Sequence, residues 1–132
     1  MRILIAEDDQ TCSLILQSMF KSYGTAIAVE DGESVIRTVT AALVRQQPFD
    51  LICLDILMPG LDGQACLRCI RAIEHGFGRT CAAGVKILMT TGLNQPEVIS
   101  AAFRSQCEGY LVKPIDRVRL YAQLDKMGFA PE

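Results

Sequence analysis

The sequence predicts an α/β fold in which a doubly wound, five-stranded parallel sheet is covered by five helices. Five short apolar runs, most of them containing β-branched residues, alternate with longer stretches whose apolar residues recur at helical spacing. This alternation is typical of a parallel sheet that carries helices on both faces. The common strand order for such a sheet is 2-1-3-4-5.

The predicted strands cover residues 2–6, 25–29, 51–55, 86–90 and 109–112. All but the second are predominantly apolar, as expected for strands with helices on both sides. The first helix lies between the first two strands and ends at Tyr23-Gly24. Its apolar residues are expected to share one buried face: Cys12, Ile15, Leu16, Met19 and Phe20.

The second predicted helix follows the Asp31-Gly32 turn and ends before Pro48. Its inward positions are Val35, Ile36, Val39, Ala42 and Leu43. The third helix covers residues 63–74, and a glycine-rich surface loop follows over residues 75–84.

The fourth predicted helix begins near Pro96, a residue favoured in the first turn. It would bury Val98, Ile99, Ala102 and Phe103. The fifth covers residues 116–127 and offers Val118, Leu120, Tyr121 and Leu124 for packing.

Size and composition predict one domain. The chain has 132 residues, half of them hydrophobic, and a formal net charge of −2. A chain of this length buries roughly two-thirds of its unfolded surface. We therefore expect residues 1–132 to form a single domain without an output domain. Lys and Arg are not clustered along the sequence, so direct binding to nucleic acid is not expected.

The chain is expected to lie in the cytoplasm. Its apolar runs fall far short of the roughly 20 residues that span a bilayer. Acidic residues interrupt the N-terminal apolar run before it reaches the length of a signal peptide. The cysteines lie mostly in apolar segments, as reduced thiols do in the cytosol. They are Cys12, Cys53, Cys66, Cys69, Cys81 and Cys107.

Polar residues follow four of the predicted strands. They are Glu7-Asp8-Asp9, Asp55, Thr90-Thr91 and Lys113-Pro114. The carboxyl ends of parallel strands meet at one edge of the sheet, and the first and third strands are neighbours about 5 Å apart. Asp8 and Asp55 are therefore expected in one pocket. Two like charges about 4 Å apart repel by roughly 4 kcal/mol at an effective dielectric near 20. Such a cluster needs a cation, and oxygen ligands favour Mg²⁺, with Mn²⁺ as the alternative.

These residues resemble the response regulator receiver domains, which have the CheY-like, flavodoxin-like fold of bacterial two-component signalling. The resemblance covers nearly the whole chain. Its landmarks are Glu7-Asp8, the string from Asp55 to Gly63 (DILMPGLDG), Thr91-Gly92, and the string from Gly109 to Pro114 (GYLVKP).

The resemblance implies a role for each matching position. Asp55 would accept a phosphoryl group from a sensor histidine kinase or a phosphotransfer protein. Asp8 would bind Mg²⁺ directly, Glu7 would hold metal-bound water, and the backbone carbonyl of Leu57 would complete the protein ligands. Thr91 and Lys113 would bind phosphoryl oxygens. Thr91 is preferred to Thr90 because it is reached by counting back from Lys113 without a gap.

The resemblance has further implications. Gly92 would leave room for the phosphoryl group, and Pro114 would follow a cis peptide bond. Tyr110 would act with Thr91 as the switch that changes the face formed by the fourth helix, fifth strand and fifth helix. A downstream protein would bind that face, and a phosphorylation-dependent homodimer is compatible with it. The protein would catalyse only its own phosphorylation and dephosphorylation.

Leu57 and Leu93 occupy positions that flank the path of the hydrolytic water in such domains. Both are apolar here, so we expect a long-lived acyl phosphate. Two alternative functions remain open. A phosphohydrolase of the haloacid dehalogenase type also uses an Asp nucleophile, but it needs an acid where this chain has Leu57. A receiver-like docking module would never be phosphorylated.

Two other features are assigned structural roles. Cys66 and Cys69 form a C-x-x-C pair, but they lie within a predicted helix and the chain has no second pair. They are interpreted as helix thiols. His75, the only histidine, is expected near a helix end, where it would contact free carbonyls, and Asp9 is expected near the start of the first helix.

Overall fold

Five parallel strands form the sheet, and residues 1–80, 83–92 and 107–132 are described by the structure, a computed structural model. The strands are β1 (Arg2–Ala6), β2 (Thr25–Val29), β3 (Leu51–Asp55), β4 (Lys86–Thr91) and β5 (Gly109–Val112). Their order is β2-β1-β3-β4-β5, and every described pairing is parallel. The predicted order is confirmed, and β4 extends one residue further than predicted.

Four helices lie within the described residues. They are α1 (Gln10–Phe20), α2 (Gly32–Val44), α3 (Gly63–Gly76) and α4 (Arg117–Lys126). The helix predicted to begin near Pro96 lies outside the described residues. An aspartate side chain caps each helix by accepting a hydrogen bond from a backbone N–H three residues later: Asp9, Asp31, Asp62 and Asp116. Asp9 is thus placed where it was predicted.

Helix α3 ends at Gly76, two residues beyond the predicted end at residue 74. His75 lies in its last turn, and the Phe77 N–H continues the hydrogen bonding to carbonyls of that turn. The prediction that the loop covers residues 75–84 therefore starts the loop two residues too early, because residues 75 and 76 still belong to α3. Gly76 keeps a helical conformation and does not end the helix. The backbone first adopts a positive φ, of 78°, two residues later at Gly78.

Side chains alternate between the two faces of the sheet, and each face has its own core. One core packs the even-numbered positions of β1 and β3 against α2 and α3. The other packs the odd-numbered positions against α1 and α4. All five residues of β3 are buried, so the strand that ends at Asp55 has a rigid setting.

Two apolar residues predicted to pack inward are exposed. Ile15 is 46% exposed and Val118 is 81% exposed. On α1 the buried stripe follows Leu16, Met19 and Phe20, and consecutive helical residues point about 100° apart, so Ile15 falls beside the stripe. On α4 the buried positions are Leu120 and Leu124, and Val118 lies off their line.

A buried ion-pair network joins α3 to the amino-terminal ends of β4 and β5. The Arg71 guanidinium donates to Glu74 at 2.6 Å and to Glu108 at 2.7 Å. The two carboxylates in turn accept hydrogen bonds from the backbone N–H groups of Val85 and Ile87, each at 2.6 Å. The network lies at the end of the sheet opposite Asp55.

The five described cysteines are free thiols; Cys81 lies outside the described residues. Cys66 is buried within α3, where burial raises the pKa of its thiol to about 12. Cys69, three residues later on the same helix, is half-buried. Among the described helices, none has the length and hydropathy required to cross a bilayer.

Candidate functional site: an acidic cluster with a lysine at the strand ends

Three carboxylates meet where β1 and β3 end. The two strands are neighbours, with Ala6 beside Leu54, so the residues that follow them are brought together. One carboxylate oxygen from each of Glu7, Asp8 and Asp55 lies within 4.8 Å of the others. Glu7 and Asp55 are buried, whereas Asp8 is exposed. The expected convergence of Asp8 and Asp55 is therefore present in the structure.

The start of α3 lies directly against Asp55. The N–H of Gly63 donates to the Ile56 carbonyl at 2.8 Å. A Cβ on Gly63 would lie only 2.3 Å from the Asp55 carbonyl oxygen, so glycine is required for this close approach. The Asp55 side chain is oriented by the N–H of Leu57, which donates to Oδ1 at 3.2 Å.

Lys113 brings a positive charge from the end of β5. Its Nζ donates to Glu7 Oε2 at 2.7 Å and to Asp55 Oδ2 at 3.1 Å. Burial on its own would lower the pKa of Lys113, but these two hydrogen bonds and the nearby negative charges outweigh burial and raise it. The lysine is therefore held in its charged form. The Lys113–Pro114 peptide bond is cis, as the resemblance implies.

Glu7 is the most enclosed of the three carboxylates, with 1% of its surface exposed. Burial raises the pKa of Glu7, and the nearby Asp55 charge adds to this, while the hydrogen bond from Lys113 opposes it. The N–H of Asp9 donates to Glu7 Oε1 at 3.1 Å. Asp9 itself caps α1 and stays outside the carboxylate group.

Two adjacent threonines end β4 on opposite faces of the sheet. Thr91 is fully buried, and its carbonyl accepts a hydrogen bond from the Lys113 N–H at 2.7 Å. Its side chain is hydrogen-bonded to Tyr110, whose pKa is raised by burial. Thr90 is the register partner of Asp55. Its hydroxyl is buried and has no hydrogen-bond partner in the described structure.

Other predicted site residues occupy the surroundings. Leu57 is 56% exposed beside Asp55. At Gly92 an added Cβ would have no described atom within 4 Å, which is consistent with open space beside Thr91. Leu93 lies outside the described residues. The roles of these residues, including that of the Leu57 carbonyl, stay predictions.

A feature that the sequence did not reveal is a cavity of about 110 Å³ beside Lys113. Its walls are Cys12, Ile15, Leu16, Lys113, Pro114 and Ile115. The exposure of Ile15, an apolar residue in an amphipathic helix, is explained by its place at this cavity. The cavity forms where α1 packs against the loop after β5. The periodicity of apolar residues does not predict how those two segments pack.

The donor set fits a hard divalent cation. All three converging ligands are carboxylates, two of them buried and one exposed. Among the described residues, Lys113 is the one positively charged side chain that forms an ion pair with them. Carboxylate oxygens without histidine or thiolate suit Mg²⁺ or Mn²⁺ better than Zn²⁺.

Comparisons with known proteins agree with this geometry. The family model described as response regulator receiver domain matches residues 3–125. The transcriptional regulatory protein ZraR of Escherichia coli is 30% identical over 125 residues, covering 94% of this chain and 25% of ZraR. The sensor protein GacS of Pseudomonas syringae is 28% identical over 120 residues, covering 90% of this chain and 12% of GacS. The chain thus spans about a quarter or less of these two relatives.

Solved structures show the same fold. A chain of the CheX–CheY–BeF3–Mg²⁺ complex from Borrelia burgdorferi superposes with a TM-score of 0.82 at 22% identity, covering 96% of this chain and 88% of that one. The receiver domain of the histidine kinase CKI1 from Arabidopsis thaliana, in complex with Mg²⁺ and BeF3⁻, superposes with a TM-score of 0.81 at 20% identity, covering 95% and 89%. With the family match over nearly its whole length, the chain belongs to the response regulator receiver domains of two-component signalling.

Proposed function

We propose that this receiver domain is a phosphorylation switch in which Asp55 accepts a phosphoryl group from a phosphohistidine. The phosphohistidine belongs to a sensor histidine kinase or to a phosphotransfer protein. The observation that carries the proposal is the meeting of Glu7, Asp8 and Asp55 with Lys113 at one edge of the sheet. A nucleophilic carboxylate, a cation site and a lysine are the groups that transfer of a phosphoryl group to an aspartate requires.

In this reaction an Asp55 oxygen attacks phosphorus, and an O–P bond forms as the N–P bond to histidine breaks. The leaving imidazole keeps the electron pair and takes a proton. Lys113 Nζ is already 3.1 Å from Asp55 Oδ2, where it would neutralise charge on the transferred group. The Leu57 N–H holds the other carboxylate oxygen, so the nucleophile has one orientation.

Glu7, Asp8, Asp55 and the Leu57 carbonyl would hold Mg²⁺, with Mn²⁺ as the alternative ion. The bound ion would supply positive charge to the phosphoryl oxygens. Two structurally similar proteins support this proposal, since the CheX–CheY complex and the CKI1 receiver domain were both crystallised with Mg²⁺ and BeF3. The acidic cluster of this chain supports it independently.

Phosphorylation would be read through Thr91 and Tyr110. Their side chains are already hydrogen-bonded to each other, so movement of the Thr91 hydroxyl towards a phosphoryl oxygen would remove a partner from Tyr110. The face beside β5 would then change, and a downstream protein would bind it. The protein would act by binding, and its only catalysis would be its own phosphorylation and dephosphorylation. A cytoplasmic location belongs to the same proposal.

Beryllofluoride with Mg²⁺ tests the proposal because it stands in for a phosphoryl group on a carboxylate. We expect amide NMR shifts at Thr91 and Tyr110 that saturate with the reagent, and no such shifts in Asp55→Asn. Asp50→Asn, which alters an exposed aspartate at the opposite end of the sheet, is the matched control and should respond as the original protein does.

Two further assays, one with a phosphate ester and one with a phosphorylated histidine donor, separate the alternatives. Steady turnover of a phosphate ester would instead indicate a phosphohydrolase. A protein that responds neither to beryllofluoride nor to a phosphorylated histidine donor would be a docking module, and the proposal would be wrong.

A further inference from the structure

A second cavity lies at the end of the sheet opposite the acidic cluster. It has a volume of about 250 Å³ and lies between α2 and the strands β1 and β2. Three arginines line it: Arg2 from the start of β1, Arg37 from α2 and Arg45 at the end of α2. Thr38 adds a hydroxyl to its wall. We call this space the arginine cavity.

The arginines of the arginine cavity lack a direct ion-pair partner among the described residues, although the charge of Arg37 helps to lower the pKa of Asp31. Within residues 1–80, 83–92 and 107–132, none of its three arginines forms an ion pair with a carboxylate. The Asp50 carboxylate accepts a hydrogen bond from the Arg2 backbone N–H and not from the Arg2 guanidinium in the described structure. In a chain whose net charge is −2, three guanidinium groups that line one concave space without a direct ion pair in the described structure favour a local positive potential.

Arg2 is held in place by an aromatic ring, and part of its guanidinium group has no hydrogen-bond partner in the described structure. The Arg2 guanidinium carbon lies 5.2 Å from the centre of the Phe49 ring. Its Nε is buried and has no hydrogen-bond acceptor in the described structure. Stacking on an aromatic ring fixes the guanidinium plane and leaves its outer N–H groups for another acceptor. Arg2 is therefore preorganised for a ligand.

The number of arginines favours an anion with more than one charged group. Arg37 and Arg45 are eight residues apart, about 12 Å along the helix axis, so their long side chains would have to converge on one compact anion. Guanidinium groups bind phosphate and carboxylate oxygens in pairs. A single phosphate group carries roughly −1.5 to −2 at pH 7, so two phosphate groups match three guanidinium charges better than one.

The volume limits the size of the ligand. A space of about 250 Å³ corresponds to roughly eight water molecules at 30 Å³ each, and it is smaller than the pockets of 300–1,000 Å³ that enclose drug-sized molecules. It would hold the charged part of a ligand and leave the remainder outside. We propose that the arginine cavity binds a small molecule through a diphosphate group. This inference goes beyond the proposed function and uses none of its residues.

Isothermal titration of the full chain with inorganic pyrophosphate, ADP and orthophosphate tests the inference. The protein and buffers are first passed over a chelating resin, so that the acidic cluster holds no metal that could bind phosphate and no chelator competes for the arginines. We expect saturable one-to-one binding of pyrophosphate or ADP, and binding of orthophosphate at least about tenfold weaker. Amide shifts at Thr38 and Ala41 should follow the same curve. Binding of pyrophosphate without ADP would identify the free ion as ligand, and binding of ADP would identify a nucleotide.

Variants locate the binding. Arg37→Ala with Arg45→Ala should weaken pyrophosphate or ADP binding by at least about tenfold, since two charge-assisted contacts are removed. Arg68→Ala removes an exposed arginine from α3 and should leave the affinity unchanged. Thermal unfolding checks that all variants fold.

Three results would overturn the inference. The first is no saturable binding of pyrophosphate or ADP at millimolar concentration. The second is equal affinity in the double variant and in Arg68→Ala. The third is citrate binding as tightly as pyrophosphate, since the site would then recognise carboxylates, as an acidic protein segment offers.

Discussion

The Nζ of Lys113 lies 3.1 Å from Oδ2 of Asp55, although 58 residues separate them in sequence. The same ammonium group also donates to buried Glu7. It therefore contacts two of the carboxylates that would bind a metal ion, and it lies beside the oxygen that would carry a phosphoryl group. Lys113 therefore has two opposing effects. It repels a divalent cation from the carboxylates, and it attracts an anionic phosphoryl group to Asp55.

Lys113→Ala should separate these two effects. Removing the ammonium charge should tighten Mg²⁺ binding by about tenfold or more, because a unit charge about 4 Å away is worth several kcal/mol at intermediate dielectric. The same change should weaken the beryllofluoride response. Isothermal titration with Mg²⁺, followed by beryllofluoride at saturating Mg²⁺, measures both quantities.

Lys126→Ala is the matched control for that charge change, since it removes an exposed lysine from the end of α4. It should leave both titrations unchanged. If Lys113→Ala weakened Mg²⁺ binding, the lysine would be an organiser of the metal site and not its competitor.

The two threonines at the end of β4 form a matched pair for testing the switch. Thr91→Val should abolish the beryllofluoride shift at Tyr110, because the hydroxyl that contacts Tyr110 is lost. Thr90→Val removes a buried hydroxyl that has no partner in the described structure. It should retain the shift and should raise stability by up to about 1–2 kcal/mol, since the cost of burying an unsatisfied hydroxyl disappears.

NMR titration of both valine variants checks the shift, and urea unfolding checks the stability. The reverse result, in which Thr90→Val abolishes the response and Thr91→Val retains it, would reassign the phosphoryl-binding hydroxyl to the register partner of Asp55.

The ion-pair network at the opposite end of the sheet should dominate the stability of α3. Arg71→Met leaves Glu74 and Glu108 without their shared guanidinium, and breaking a buried ion pair costs about 3–5 kcal/mol. Arg68→Met, on the exposed face of the same helix, should change the free energy of unfolding by less than about 0.5 kcal/mol. Urea unfolding of the two variants would contradict this if their losses were equal.

The same network should make stability depend on pH. Burial raises the pKa of Glu108 above its ordinary value of 4.5, although hydrogen bonding from Ile87 and the Arg71 charge oppose the shift. The folded state then holds a proton more tightly than the unfolded state. The contribution of Glu108 to stability is therefore greatest below its ordinary pKa and is lost as pH rises through the raised value.

Unfolding of the original protein and of Glu108→Gln over a pH series isolates that contribution. The original protein should lose stability relative to the variant as the pH rises, because only the original protein has the carboxyl group that must ionise. A difference between the two proteins that stays constant over the series, or changes in the opposite direction, would show that Glu108 has no raised pKa in the folded state.

The sequence predicted the strands well because fully buried apolar runs are distinctive when each is followed by polar residues. Residues 51–55 are buried on both sides and end directly at Asp55, so that boundary was clear. Position along the chain and a parallel topology also sufficed to bring Asp8, Asp55 and Lys113 together. β2 was also placed correctly, although it is the most exposed of the five strands.

Other features depended on contacts that pattern does not encode. Arg71 and Glu74 are charged, so periodicity places them on a solvated face, yet each is buried because it pairs with the other. The pairing of Thr90 with Asp55 depends on strand register, which a sequence of equally apolar strands leaves unspecified. The hydrogen bond between Thr91 and Tyr110 also depends on register, because Thr91 is paired with Val112 and reaches Tyr110 diagonally. The exposed Val118 also follows from packing and not from composition.

Leu57 should prolong the life of the acyl phosphate. Its backbone N–H contacts the Asp55 carboxylate and its side chain is 56% exposed, so the solvent near Asp55 meets an apolar group. Water needs polar partners to be held in line for attack, and a leucine supplies none. In Leu57→Asn combined with Leu93→Glu, polar groups replace both leucines, and we expect the phosphorylated protein to decay about tenfold faster, equivalent to about 1.4 kcal/mol in the barrier.

Decay of radiolabelled phosphoprotein after removal of the donor measures this lifetime. Val44→Asn exchanges another exposed apolar residue, at the far end of α2, and it should leave the lifetime unchanged. A half-life of the original protein shorter than that of the double variant would contradict the shielding role. Asp55 is unchanged in all three proteins, so the initial rate of labelling should differ little among them. Any change in lifetime then reports access of water to the phosphorus atom and not damage to the nucleophile.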